Sequence, residues 1–372
     1  MFTPLDQAFM RRALDLSERG LYTTTPNPRV GAVLVKDGKT IGEGFHQAAG
    51  EPHAEANAVR DAGARVGVDA MRGSTLYVTL EPCSHRGRTP PCADMLVDQG
   101  VQRVVAAMED PNPKVAGRGF AKLRAAGVDV RVGLLANEAH EQNIGFVSRM
   151  LRGVPWVRLK VAASLDGKTA LANGESQWIT GPEARRDGHA YRARACAILS
   201  GIGTVLEDNP QLNVRDVVTP RQPLKVVVDS SLQTPVDARL LGEGRVLIAT
   251  VVENKAVQAR LTEAAAAHGA TLEFVALPNA AGKVDLNALM RELGRRELNE
   301  IHVEAGFKLN GSLLREGCVD ELLIYFAASI IGDSGQGMFN LPTLEKLDQR
   351  RKLKLHRVNQ LGDDLRLIAR MA

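Results

Sequence analysis

The residues of this chain best suited to chemistry are His53, Glu55, Cys83 and Cys92. Cys83 stands thirty positions after His53 and Cys92 nine after Cys83, and each cysteine directly follows a proline. One imidazole and two thiolates bind Zn2+ well and leave the fourth tetrahedral position to water, which distinguishes a catalytic zinc from a closed structural one. Glu55 is close enough along the chain to take a proton from that water without ligating the metal. The order His-x-Glu, Pro-Cys, Cys is the pattern of zinc-dependent nucleobase deaminases, in which two residues usually part the cysteines. Here the gap is the eight residues Ser84 to Pro91, a departure that bears on the substrate. A closed zinc site would need a fourth ligand, for which His85 is the nearby candidate. Its place inside the insert reads instead as a substrate contact.

The elements that must position these residues alternate in type. Helical spacing over 9–19 ends at Gly20, and 30–36 and 40–44 read as strands joined by an Asp37-Gly38 turn. A helix opening at His53 and running to about residue 62 puts His53 and Glu55 in its first turn, with backbone N–H groups and the positive dipole end toward the site. A strand over 75–80 delivers Cys83 at its carboxyl end, and a helix begins at Cys92. Strand 101–108, helix 120–126 and strand 128–132 follow. This alternation predicts an α/β/α layered domain with ligands at strand ends. Arg152-Gly153-Val154-Pro155 breaks a helix expected from about residue 137 and divides 372 residues into domains 1–150 and 151–372. Strands are then expected at 157–162, 197–200, 224–229, 246–250, 300–303 and 321–330, with a terminal hairpin over 353–358 and 365–369.

Composition excludes several classes. Of the four cysteines, Cys83, Cys92, Cys196 and Cys318, two are allotted to the metal, which argues against a disulfide framework and for a reducing cytoplasm. Residues 1–12 hold no apolar signal core, and no stretch approaches the roughly 18–20 apolar residues of a membrane span. The net charge of +4 is spread along the chain. No concentrated basic face favours a nucleic-acid partner, and the run 350–354 reads as a charged edge strand. A mild positive balance suits small anionic substrates.

The stretch Glu81-Pro82-Cys83-Ser84-His85-Arg86-Gly87-Arg88-Thr89-Pro90-Pro91-Cys92 resembles the zinc motif of the RibD family, riboflavin-biosynthesis enzymes that fuse a pyrimidine deaminase to a reductase. Pro26-Asn27-Pro28-Arg29-Val30-Gly31-Ala32-Val33 and Asp110-Pro111-Asn112-Pro113 are similar as well, and the resemblance covers essentially the whole chain. It implies a cytidine-deaminase-like first domain and a dihydrofolate-reductase-like α/β second domain. The implied substrate is a phosphorylated ribosylaminopyrimidine, 2,5-diamino-6-ribosylamino-4(3H)-pyrimidinone 5′-phosphate, which loses its 2-amino group. Zinc would lower the pKa of its water and Glu55 would carry the proton to the departing nitrogen. His85 and Arg88 would supply phosphate donors, Asn27 the partner of the pyrimidinone edge, Asp110 and Asn112 the ribose contacts, and His46 a further substrate contact.

Spacing alone leaves the chemistry of the second half open. Gly201-Ile202-Gly203-Thr204-Val205-Leu206 lacks the third glycine of a dinucleotide fingerprint. The resemblance, carried by Lys160-Val161-Ala162-Ala163-Ser164-Leu165-Asp166-Gly167, Ser176-Gln177-Trp178-Ile179-Thr180, Gly203-Thr204-Val205-Leu206-Glu207-Asp208-Asn209-Pro210 and Glu304-Ala305-Gly306, implies an NADPH-dependent reductase. By it Ala162, Trp178, Thr204, Asp208, Ser230 and Gly306 line the cofactor site, and Lys160, Ser176, Arg192, Leu212, Arg215 and Glu304 face the substrate. Ala305 stands where the family often has a second glycine. The implied reaction turns the ribosyl C1′ into a ribityl carbon; the sugar must first open, and Lys160 and Glu304 are the candidates for moving the proton. The competing reading is a zinc deaminase of tRNA adenosine or free cytidine fused to an unrelated oxidoreductase. It calls for a short cysteine gap and, for tRNA, a basic face, neither of which is present. A non-catalytic reading would make the zinc structural and the chain a nucleotide-binding regulator. The oligomeric state is open, and a homo-oligomer is allowed.

Overall fold

Thr3 starts the first ordered element by reciprocal capping: its hydroxyl accepts the Asp6 N–H at 3.1 Å while the Asp6 carboxylate takes the Thr3 N–H at 2.8 Å. Helix α1 (Pro4–Glu18) therefore begins well before the periodicity that predicts it. The computed structural model describes residues 2–84, 91–113 and 115–372, and the chain falls into two units, Met1–Gly153 and Val154–Ala372.

In the first unit, strands β1 (Gly31–Lys36), β2 (Lys39–Phe45), β3 (Thr75–Val78), β4 (Arg103–Ala106) and β5 (Asp129–Val132) form one sheet in the order β2-β1-β3-β4-β5. β1 is antiparallel to β2 and β3, and β3, β4 and β5 are mutually parallel. The period-2 alternation of β1 creates two buried faces. Val33 and Val35 pack with Met10, Ala13 and Leu14 of α1. Ala32 and Leu34 pack with Ala54, Ala58 and Ala62 of α2 (Ala54–Val66), Leu96 of α3 (Cys92–Asp98) and Phe120 and Leu123 of α4 (Arg118–Ala125). The result is the α/β/α layering expected from the sequence.

Close packing of α2 on β2 rests on two glycines. A Cβ at Gly42 would lie 2.3 Å from the Ala58 carbonyl oxygen, and one at Gly44 would lie 2.3 Å from that of Ala54, so any larger residue would lift the helix that carries Glu55. His53 is the extended N-cap of α2 rather than part of its first turn, and the helix continues to Val66. The helix expected from residue 137 is two, α5 (Ala136–Gln142) and α6 (Ile144–Arg152). They meet at Asn143, whose side chain accepts the Arg29 N–H at 2.7 Å and donates to the Arg29 carbonyl at 2.9 Å. That pair of bonds leads the chain out of the Pro26–Pro28 segment and into β1.

The second unit contains β6 (Trp156–Ser164), β7 (Lys168–Ala170), α7 (Pro182–Arg194), β8 (Ala197–Gly201), α8 (Ile202–Asp208), β9 (Leu224–Val228) and β10 (Gly244–Thr250). It continues with α9 (Lys255–Ala267), β11 (Ala270–Ala276), α10 (Leu286–Arg295), β12 (Glu300–Val303), α11 (Phe307–Arg315), β13 (Glu321–Ala327), β14 (Gln336–Gly337), β15 (Leu353–Leu361) and β16 (Asp364–Met371). Its main sheet runs β11-β10-β9-β8-β12-β6-β13-β16-β15. From β11 to β13 every neighbour is parallel, and the terminal hairpin adds two antiparallel strands. Its faces are filled by Leu286, Leu289, Leu293 and Leu313 on one set of contacts and by Leu240, Leu261 and Ala265 on another.

The strand expected over 321–330 stops at Ala327. β11 was not anticipated, because its exposed Thr271 and Glu273 break the apolar run. Among the described residues no helix is long and apolar enough to cross a membrane.

Candidate active sites

His53, Cys83 and Cys92 reach one point from three elements: the N-cap of α2, the segment after β3 and the first residue of α3. His53 Nδ1 lies 3.6 Å from Cys83 Sγ and 3.4 Å from Cys92 Sγ, and the three candidate ligand atoms fall within 4.8 Å of one another. Zn–N and Zn–S bonds of ordinary length give a tetrahedral N···S edge of roughly 3.5 Å, so the triangle fits zinc. The backbone N–H of Cys92 also donates to Cys83 Sγ at 3.3 Å. Hydrogen bonds from Cys92 and His53 pull the Cys83 thiol down to about 4, and the bond to Cys83 lifts His53 to about 9. Cys92 is pushed upward, first by its bond to Cys83. A metal entering this cluster therefore displaces a proton.

Glu55 is buried against the same cluster. Burial pushes its carboxyl up to about 7, opposed by the charge of His53, and a bound dication would draw it down again.

Asn27 and His46 form one unit. His46 Nδ1 lies 3.2 Å from the Pro52 carbonyl, which can only accept, so Nδ1 carries the proton and Nε2 accepts the Asn27 amide N–H at 3.0 Å. Burial keeps His46 below its ordinary pKa, consistent with this neutral form. The His46 ring also meets His53 edge-on at 5.5 Å. Asn27 is thus held with its carbonyl oxygen available to a ring N–H.

Asp110 accepts the Asn112 N–H at 2.8 Å, and burial pushes its carboxyl up to about 6. His85 and Arg88 lie outside the described residues. A contributor that the sequence reading did not single out is Glu81. Buried two positions before Cys83, it accepts the backbone N–H groups of Asp110 (3.2 Å), Gly117 (2.9 Å), Gly119 (2.8 Å) and Phe120 (3.3 Å).

In the second unit the candidate residues gather at the carboxyl ends of parallel strands, where open α/β sheets bind ligands. Glu304 follows β12, and its carboxylate takes Arg192 Nε at 2.5 Å and Nη2 at 2.7 Å as a bidentate pair. Burial works against that charge, but Arg192 holds Glu304 well below the usual carboxylate range. Lys160 lies on β6, and its pKa is lowered by burial with partial compensation from Glu304. Arg192 Nη1 donates to the Asn213 carbonyl at 2.9 Å, and Arg215 Nη1 donates to Asn213 Oδ1 at 2.7 Å and Gln211 Oε1 at 3.0 Å. Leu212 is buried beside them with a φ of +49°.

Of the residues expected at the cofactor, Thr204 in α8 and Gly306 at the N-cap of α11 are joined by a 3.0 Å bond from the Gly306 N–H to Thr204 Oγ1. Gln177, next to the exposed Trp178, hydrogen-bonds the Asp208 carboxylate, and the Arg185 guanidinium covers the Trp178 ring at 4.8 Å. Ala162 lies on β6 opposite Tyr325. Ser230 follows β9 and accepts the Val284 N–H at 3.2 Å. Ser176 is half-buried one residue before Gln177. Two helix starts after the adjacent strands β8 and β12, with polar side chains and the exposed indole of the segment before α7, fit a dinucleotide.

Comparison with known proteins covers both units. Residues 3–108 match the family described as cytidine and deoxycytidylate deaminase zinc-binding region, and residues 155–367 match the RibD C-terminal domain. The riboflavin biosynthesis protein RibD of Escherichia coli (strain K12) is 46% identical over 97% of this chain and 98% of its own length. That of Haemophilus influenzae is 45% identical over 98% and 97%. Among solved structures, Acinetobacter baumannii RibD superposes with a TM-score of 0.88 at 40% identity over 99% of each chain. The Thermotoga maritima diaminohydroxyphosphoribosylaminopyrimidine deaminase/5-amino-6-(5-phosphoribosylamino)uracil reductase does so at 0.86 and 33% over 99% of each.

Proposed function

This chain belongs to the RibD family of bifunctional riboflavin-biosynthesis enzymes, and from that premise we propose how its residues divide the two reactions. It is a zinc-dependent deaminase and an NADPH-dependent reductase, built from a cytidine-deaminase-like and a dihydrofolate-reductase-like α/β architecture. Residues 1–150 carry the first activity and 151–372 the second. The observation that carries the reading is the His53, Cys83 and Cys92 triangle with Glu55 buried against it.

The substrate is 2,5-diamino-6-ribosylamino-4(3H)-pyrimidinone 5′-phosphate. His53, Cys83 and Cys92 hold zinc, which when bound supplies a water acidified toward neutrality. Glu55 takes a proton and returns it to the exocyclic nitrogen, so that ammonia rather than amide ion departs. Asn27, held by His46, offers its carbonyl oxygen to a ring N–H. Asp110 and Asn112 bind the ribose, and His85 and Arg88 the phosphate.

Reduction acts on the deaminated product. NADPH, received by Ala162, Trp178, Thr204, Asp208, Ser230 and Gly306, supplies the hydride. Glu304, Lys160, Arg192, Ser176, Leu212 and Arg215 hold the substrate, with Lys160 and Glu304 moving the proton that opens the ribosylamine ring. Four cysteines without a disulfide suit a cytoplasmic setting.

Incubation of the full chain with the diaminopyrimidinone nucleotide tests the reading by mass spectrometry. Without NADPH one amino group should be exchanged for oxygen, and with NADPH two hydrogens should then be gained. Unchanged substrate in the zinc-loaded enzyme would refute the assignment.

A further inference from the structure

We propose that His302 is a positioning residue for the reduction: as a neutral Nε2–H tautomer it saturates one oxygen of Glu304, so that the carboxylate presents only its other oxygen to substrate. The inference rests on Glu304 belonging to the reductase site. His302 sits at the third position of β12, fully buried, with Nε2 3.1 Å from Glu304 Oε1. An ionised carboxylate can only accept, so Nε2 carries the hydrogen. Nδ1 is buried and has no hydrogen-bond partner among the described residues.

A proton on Nδ1 would therefore be an unsatisfied donor on a buried cation. It would also lie close to Arg192 and Arg158, whose charges already oppose it. The ring stacks on Tyr191 at 6.4 Å, and Tyr191 lies under the Arg158 guanidinium at 4.9 Å. Packing thus fixes the plane of the imidazole and with it the direction of its single N–H.

The consequence falls on Glu304. Oε1 receives Arg192 Nε at 2.5 Å as well as His302, whereas Oε2 receives only Arg192 Nη2 at 2.7 Å among the described residues. One lone pair of Oε2 is left for a ligand hydroxyl or proton, on a carboxylate stabilised by Lys160. Without His302 the Arg192 fork would remain, but Oε1 would regain an open lone pair beside that of Oε2, and the carboxylate would no longer offer a single site for proton transfer.

The test uses the full zinc-loaded chain, the deaminated ribosylaminouracil phosphate as substrate, and NADPH absorbance as the readout of reduction. His302→Leu should lower kcat/KM about tenfold or more, mainly through kcat, with deamination unchanged. His302→Gln, whose amide N–H can stand where Nε2–H stood, should recover to within about threefold of the parent. Unimpaired reduction in His302→Leu, or equal loss in both variants, overturns the proposal. Should His302→Leu not fold, 15N correlation spectra of the [15N]histidine-labelled parent decide it, with His302 assigned by its absence in His302→Gln. A protonated Nε2 and bare Nδ1 are expected at neutral pH, and an Nδ1–H signal overturns the idea. Glu304→Gln is the control: if it reduces normally, the site assignment itself fails. If it is impaired while His302→Leu is not, only the positioning role fails.

Discussion

The carboxylate of Glu81 accepts the backbone N–H of Gly119 at 2.8 Å, while a Cβ at Gly119 would lie 1.9 Å from the carbonyl oxygen of Pro82. This contact pins the start of α4, and with it the turn of Asp110 and Asn112, to the segment that carries Cys83. Glu81→Gln would oppose an amide NH2 to backbone donors that now share a carboxylate. A buried donor left unsatisfied costs about 1–3 kcal/mol, so calorimetry should show a melting point lower by several degrees. Zinc content should stay at the parental level while the KM of deamination rises, because the ligand triangle survives and the loop beside it loosens. A parental KM would limit Glu81 to stability.

Glu55→Gln should retain zinc and lose deamination by about 10²–10⁴-fold, the usual worth of a positioned acid/base. Glutamine fills the same volume against Cys92 but cannot carry the proton. Reduction of the already deaminated nucleotide should be unchanged in the same preparation. Loss of zinc together with activity would make Glu55 a structural residue instead.

The two activities should be separable at Gly153, where the first unit ends. Cutting at residue 150 would remove the last two residues of α6, Leu151 and Arg152, and with them the guanidinium that holds Ser148 Oγ at 2.5 Å. A chain of residues 1–153 should therefore fold, bind zinc and deaminate without NADPH. A folded, zinc-loaded but inactive product would mean that the second unit completes the first site.

What was legible in the sequence follows the range of the interactions. The zinc ligands could be found because ligand chemistry restricts residue type at each position, and Pro-Cys and His-x-Glu are local patterns. Strand and helix order in the first unit followed from period-2 and 3.6 alternation. Glu81 escaped because its partners stand 29 to 39 positions away and are backbone groups that leave no trace in residue type. His302 looks like any histidine in an apolar strand, and only the parallel pairing of β12 with β6, which sets it opposite Arg158, and its contact with Glu304 give it a setting. The start of α1 was missed because capping at Thr3, not periodicity, decides it.

Arg215→Ala should lower kcat/KM for reduction by about tenfold to a few hundredfold, the loss of one charge-assisted hydrogen bond of about 1.5–3 kcal/mol. Arg215 is exposed but preorganised by Gln211 and Asn213, the latter also holding Arg192 through its carbonyl. KM should rise at least as much as kcat falls, as expected when a remote phosphate is anchored. Deamination should not change. Equal loss of both activities would point to misfolding.

His189 links the segment that carries Arg215 to pH. Its Nδ1 accepts the Arg215 N–H at 3.2 Å, which requires the neutral ring, and Nε2 lies 3.5 Å from Asp216. Burial, reinforced by the charge of Arg192, pushes its pKa down to about 4, against about 6.5 in an unfolded chain. Between these values the unfolded state binds more protons, so stability is fully present above pH 6.5 and is lost as pH falls toward 4, by up to about 3 kcal/mol. His189→Gln cannot titrate and should remove that slope. Trp156 and Trp178 are the only two tryptophans and both lie in the second unit, so urea unfolding followed by tryptophan fluorescence reports on this unit. The parent should lose more stability than His189→Gln between pH 7 and 4.5. Parallel curves would show that His189 is protonated as readily in the folded chain as in the unfolded one, and the bond to Arg215 would then have to be abandoned.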